Sequence, residues 1–98
     1  MRVEQITQRL ERERAGALDT RDPLAIRRAG DRFKVVSDAL SKLDPSADVD
    51  PKTFTVGLRE AAKALGLSVR EARALAHSRR LAARYVDNEL RVPLAAIL

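Results

Sequence analysis

The sequence has no cysteine and no tryptophan, a single histidine, and aromatics at only 3% of its 98 residues. Without cysteine there is no disulfide framework and no thiolate metal site, which suits a reducing cytoplasm. One histidine, His77, falls short of a zinc ligand set. A catalytic pair is missing too: Ser78 stands beside His77, but adjacent residues on a helix do not face each other. Gly16, Gly30, Gly57 and Gly66 are isolated, so no glycine-rich loop is available to cradle a phosphate. The first five residues lack the apolar core of a secretory signal, and no apolar run approaches the roughly 18 residues of a membrane span. The expectation is a cytoplasmic protein, neither enzyme nor membrane protein, with no cofactor and no metal. Hydrophobic residues still make up 45% of the chain, so its core must be Ala, Leu, Val and Ile, a composition that favours closely packed helices.

What the chain has is positive charge, unevenly placed. Formal net charge is +5. Residues 1–52 hold 11 Lys/Arg against 10 Asp/Glu, whereas residues 53–98 hold 8 against 4, so the surplus lies in the C-terminal half. A concentrated basic surface is the electrostatic footprint of a polyanion partner, although charge alone does not separate that from a solvated surface.

Val3, Ile6 and Leu10, continued by Ala17 and Leu18, predict an amphipathic helix over residues 3–18. Asp22 suits an N-cap and Pro23 the first helical position, where a missing N–H costs nothing, so a second helix starts there. Its apolar residues Ile26, Ala29, Phe33, Val36, Leu40 and Leu43 form a heptad-like seam widened by Leu24, Val35 and Ala39. Residues 1–43 therefore read as a two-helix hairpin. Its seam either associates with a second copy, the preferred reading, giving a homodimer through residues 3–43, or is consumed within one chain. Residues 44–52, with two prolines, three aspartates and no periodicity, read as a linker.

Residues 53–98 read as a separate domain. After Phe54-Thr55-Val56, a candidate short strand, Leu58, Ala61, Ala62 and Leu65 mark one face of a helix that Gly66 ends. Ser68-Val69-Arg70-Glu71 is a capping box that opens another helix at once. Helix, glycine-containing turn and capped helix is the pattern of a helix-turn-helix. On the second helix Ala72, Leu75 and Ala76 share a core face, while Arg70, Arg73 and His77 share a cationic one. Residues 81–86 and 89–92 read as a β-hairpin around Asp87-Asn88. A two-residue turn sets Tyr85 opposite Leu90, Ala83 opposite Val92 and Arg84 opposite Arg91. Like charges directly opposed are destabilising unless an anion intervenes, so a DNA phosphate between Arg84 and Arg91 is expected, the alternative being that both side chains splay into water. Pro93 opens a last turn that Leu94, Ile97 and Leu98 dock on the core.

In order and spacing, Glu60-Ala61-Ala62-Lys63-Ala64-Leu65-Gly66-Leu67-Ser68, then Arg80-Leu81, then Leu90-Arg91-Val92-Pro93 resemble the excisionase/MerR-type winged helix-turn-helix family. The resemblance covers about residues 54–98. It implies double-stranded DNA as partner, with a recognition helix (68–78) in the major groove and a wing (81–92) on the backbone. By resemblance Arg70, Arg73 and His77 fall on the recognition helix and Arg84 and Arg91 on the wing; Arg79 and Arg80 complete the candidate DNA-binding set. The departures are informative. Arg79 replaces a usual helix-ending glycine, and either extends the recognition helix or contacts phosphate. Ala82 replaces a common proline, and Asp87-Asn88 a glycine-rich wing tip, where Asp87 and Glu89 would repel DNA. The helices precede the winged unit rather than follow it, which argues against a ligand-sensing regulator.

The fold expected is mainly α, an N-terminal helical hairpin followed by a C-terminal winged helix-turn-helix with a small β-hairpin wing. The function expected is sequence-specific DNA binding by a small transcriptional regulator. Two alternatives stand beside it: an excisionase-like recombination directionality factor that bends DNA beside an integrase, and a protein-interaction module that has lost DNA binding.

Overall fold

The computed structural model describes residues 1–98. It is mainly helical, with a small three-stranded antiparallel sheet. Helix α1 spans Val3–Thr20 and α2 spans Pro23–Leu40. Only Arg21 and Asp22 separate them, so the chain must reverse. Arg21 takes a left-handed φ of 55°, and the Asp22 carboxylate accepts from the Leu24 amide at 3.0 Å, with Pro23 opening the helix as its sequence position requires. The antiparallel register is marked by the Arg32–Glu13 pair at 3.1 Å and by Arg14, whose guanidinium lies 4.2 Å from the centre of the Phe33 ring.

At its start helix α1 has the Gln5 side-chain oxygen accepting from the Arg2 amide at 2.9 Å, but no side-chain acceptor for the first helical amides. Its first amides are satisfied instead by the segment expected to be a linker: Val3 donates to the Ala47 carbonyl at 3.0 Å and Glu4 to that of Pro45 at 2.9 Å. Arg2 bridges Asp48, and the Met1 amino group donates to the Val49 carbonyl at 2.8 Å. The two prolines do stop the helix, but they leave free carbonyls, which α1's orphan amides take up. Asp44 and Asp50 close the intervening turns by accepting from the Ser46 and Lys52 amides at 2.8 and 2.9 Å.

The C-terminal half runs β1 (Thr55–Gly57), α3 (Leu58–Leu65), α4 (Val69–His77), β2 (Arg84–Val86), β3 (Glu89–Pro93) and a 3₁₀ turn, Leu94–Ala96. Strand β3 is central: Val56 pairs with Val92 on one side and Tyr85 with Leu90 on the other. The apolar pattern predicts a hairpin from Leu81, with Ala83 opposite Val92, yet β2 begins only at Arg84 and Val92 belongs to the β1 ladder. Leu81 is held elsewhere, because its amide donates to the Leu75 carbonyl at 3.2 Å and its side chain is buried. The final turn docks as expected, Leu94 donating to the Phe54 carbonyl and burying its side chain beside Ile97.

One hydrophobic cluster joins all of this. Val3, Ile6 and Leu10 of α1, Val35, Val36 and Leu40 of α2, Val49, Val56, the alanines of α3, Ala72 of α4, Val92, Leu94 and Ile97 belong to it together. Most of the seam is thus consumed within the chain. The exceptions are Leu24, 54% exposed, Ile26, half-buried and outside the cluster, and Leu43, which lies beyond the end of α2; Leu18 of the α1 stripe is likewise 56% exposed. At about 100° per residue, Ala17 takes the inward position and turns Leu18 aside, while Leu24 sits about 120° from Val36. No helix is long and apolar enough to cross a membrane.

Candidate nucleic-acid interface

The capping box that opens α4 is present in both directions. The Ser68 hydroxyl accepts from the Glu71 amide and the Glu71 carboxylate accepts from the Ser68 amide, each at 3.1 Å. The bond from the Ser68 amide, then the contact with its hydroxyl, holds the Glu71 carboxyl below the usual glutamate range, against slight desolvation. Ala72 bonds back to Ser68 in the ordinary way, which leaves the amides of Val69 and Arg70 with no acceptor in the chain.

Along α4 the faces separate as the spacing dictates. Ala72 is fully buried and Leu75 and Ala76 are half-buried, while Arg70, Arg73 and His77 are exposed. None of these three joins any of the molecule's ion pairs, which are Arg2–Glu4, Arg9–Glu13, Arg14–Glu11, Arg32–Glu13 and Arg91–Glu89. The element packed broadly against α4 is α3, so its outer face is left to solvent. Ser78 is spent on the Leu75 carbonyl at 3.1 Å rather than on His77.

The two helices end alike. In α3, Gly66 at φ 70° lets the Leu67 amide reach the Ala62 carbonyl at 2.9 Å. In α4 the same role falls to Arg79 at φ 62°: its amide reaches Ala76 at 3.2 Å and the Arg80 amide reaches Leu75 at 2.9 Å. Arg79 therefore does not extend the helix, which stops at His77. Both Arg79 and Arg80 carry exposed side chains just past its end.

At the hairpin, Asp87 and Asn88 take φ of 51° and 65°, the two left-handed positions of a type I′ turn. Arg84 and Arg91 face each other as expected. The charge conflict is relieved inside the chain, however. Arg84 donates to the Thr53 carbonyl at 2.6 Å; Arg91 donates to the Thr55 carbonyl at 2.8 Å and the Thr55 hydroxyl at 3.2 Å, and pairs with Glu89 at 3.6 Å. Each arginine thus has a backbone carbonyl acceptor within the chain and Arg91 a carboxylate as well, while Arg84 keeps its other donors on an exposed side chain. Tyr85 pairs with Leu90 yet is 67% exposed, since β2 is an edge strand.

The fold also assembles a second cationic surface, one outside the candidate set read from the sequence. Leu24, Arg27, Arg28 and Asp31 line one side of a groove, and Arg59, Ala62, Lys63 and Gly66 line the other, with Ser68 and Val69 at its end. A signal for it exists: each set follows i, i+3, i+4, i+7, one stripe of α2 and one of α3. The stronger apolar seam on the same helices masks it.

No family model, curated protein or solved structure matches the chain.

Proposed function

We propose that this protein binds double-stranded DNA sequence-specifically through a winged helix-turn-helix made of α3, α4 and the β2–β3 hairpin, and that it works as a small transcriptional regulator. The observation that carries this reading is α4: a helix anchored by Ala72 whose opposite face offers Arg70, Arg73 and His77, exposed and without carboxylate partners. Arginine on a helix seated in the major groove reads guanine by two parallel hydrogen bonds, worth about 1–3 kcal/mol of discrimination per pair. The free amides of Val69 and Arg70 add donors that suit a phosphate at the same helix end.

In this reading the wing serves less than the recognition helix. Arg84 and Arg91 are already bonded to β1 and the residues before it, and Asp87 and Glu89 flank the tip. Arg79 and Arg80, with no ion pair, are better placed to hold backbone phosphate. Association of two copies would use the exposed Leu18 rather than the buried seam.

Fluorescence anisotropy with a labelled duplex tests the proposal. Wild type should bind with an affinity that falls steeply with salt, and Arg70→Ala/Arg73→Ala should lose most sequence preference. Equal, salt-insensitive behaviour of the two proteins would instead favour a protein-interaction module.

A further inference from the structure

The groove between α2 and α3 gathers four unpaired cations. Arg27 and Arg28 stand on one wall, Arg59 and Lys63 on the other, and Asp31 is the only carboxylate in its lining. All four cations are exposed, and none takes part in an ion pair or a side-chain hydrogen bond, whereas Arg9 and Arg14 of α1 are paired with glutamates and Arg14 also stacks on Phe33. A solvated face ordinarily mixes signs. Here two helices bring their basic stripes to a common channel, and Glu60 of α3 lies outside its lining, beside Gly57 and in the depression that holds Arg73.

The channel is fixed relative to α4. The Arg28 side chain crosses the α3–α4 turn, its Nε 3.2 Å from where a Cβ on Gly66 would sit. The groove runs out at Ser68 and Val69, and Val69 also lies beside Arg73 in the next surface depression. The groove therefore reaches the start of α4, and the depression beyond it sets Arg59 and Arg73 beside Val69, with Glu60 and Glu89 also in its lining.

We infer that the N-terminal hairpin is part of the nucleic-acid interface, with Arg27, Arg28, Arg59 and Lys63 gripping the phosphodiester backbone of the duplex whose groove α4 enters. This rests on the DNA-binding reading of α4. Backbone contacts of this kind fix register and angle without reading sequence. The hairpin thus sets how α4 approaches the groove and lengthens the footprint beyond residues 53–98.

The test uses the full chain and a labelled random-sequence duplex of about three helical turns. Arg27→Ala/Arg28→Ala should weaken binding about tenfold near physiological salt, alike on every sequence, and should flatten the log–log salt dependence by about 0.9 for each phosphate that is no longer neutralised. Asp31→Ala, which removes the one opposing charge, should tighten binding several-fold, a change of sign that damage to the fold cannot produce. Arg70→Ala/Arg73→Ala should weaken binding to a selected site more than to random duplex. If that variant weakens binding but the α2 pair and Asp31→Ala behave as wild type, the inference about the hairpin is overturned while the role of α4 survives. If wild type shows no salt-dependent binding to any duplex, the DNA reading falls with it.

Discussion

Arg79 holds a left-handed conformation just past the end of α4. A side chain other than glycine costs about 1–2 kcal/mol in the left-handed region, and glycine does the same job in α3. The same strain is kept at Arg21 past the end of α1 and avoided at Gly66, so the proposed role of Arg79 rests on its exposed, unpaired side chain beside α4 rather than on its conformation. Arg79→Gly should therefore raise stability by about 1 kcal/mol in urea unfolding while lowering affinity for duplex; a gain in stability with unchanged affinity would remove Arg79 from the interface. Ser68 gives the opposite case. Ser68→Ala should destabilise by about 1 kcal/mol, since it leaves the Glu71 amide unbonded.

Two carboxyls carry a pH dependence. Glu71 is held low by the Ser68 amide and Asp44 by the Ser46 hydroxyl and then the Ser46 amide. A depressed folded value means that the stabilisation is complete above the ordinary carboxylate range and disappears as pH falls through the folded values. The Glu71→Gln/Asp44→Asn variant should thus lose less melting temperature than wild type between neutral and acid solution. An equal loss in both proteins would assign the acid sensitivity to other groups.

At the scale of elements, legibility follows physical cause. Both helix pairs, the Asp22 and Ser68 caps, the Gly66 stop and the Arg84–Arg91 register can be read from the sequence because each rests on local rules of spacing, capping and turn type. The segment 44–52 reads as a linker because composition shows that a helix stops, not that the freed carbonyls of Pro45 and Ala47 will cap a helix more than forty residues earlier in the chain. The apolar character of Leu81 points to the hairpin, whereas the end of α4 claims it. The partners of Arg84 and Arg91 are beyond the reach of local rules, since they lie on β1 and just before it, over 30 residues earlier in sequence. The groove of α2 and α3 depends on how two helices meet, which no single periodicity reports.

The shared core yields a prediction for these elements. Ile6 is fully buried in the cluster that also holds Val92 and Ile97. Ile6→Ala should cost about 2–5 kcal/mol. It should do so in one transition, whether followed by far-UV circular dichroism, dominated by the helices, or by the fluorescence of Tyr85, the sole tyrosine, on β2. Separate transitions would show that α1 and α2 unfold independently of the sheet.

For the whole molecule, the α2–α3 groove with its four exposed cations ends at the start of α4, on which Arg70, Arg73 and His77 are exposed. A net charge of +5 spread evenly would bind polyanions weakly and anywhere. On the proposed reading, the cations gathered at the groove and on α4 would orient the protein on the duplex before any base is read. The most direct measurement is a nuclear magnetic resonance titration of the labelled full-length protein with a short DNA duplex. The account predicts that the amides of residues 68–73 and the side chains of Arg70, Arg73 and His77 respond first and most. Perturbation confined to other surfaces, with α4 silent, would contradict it.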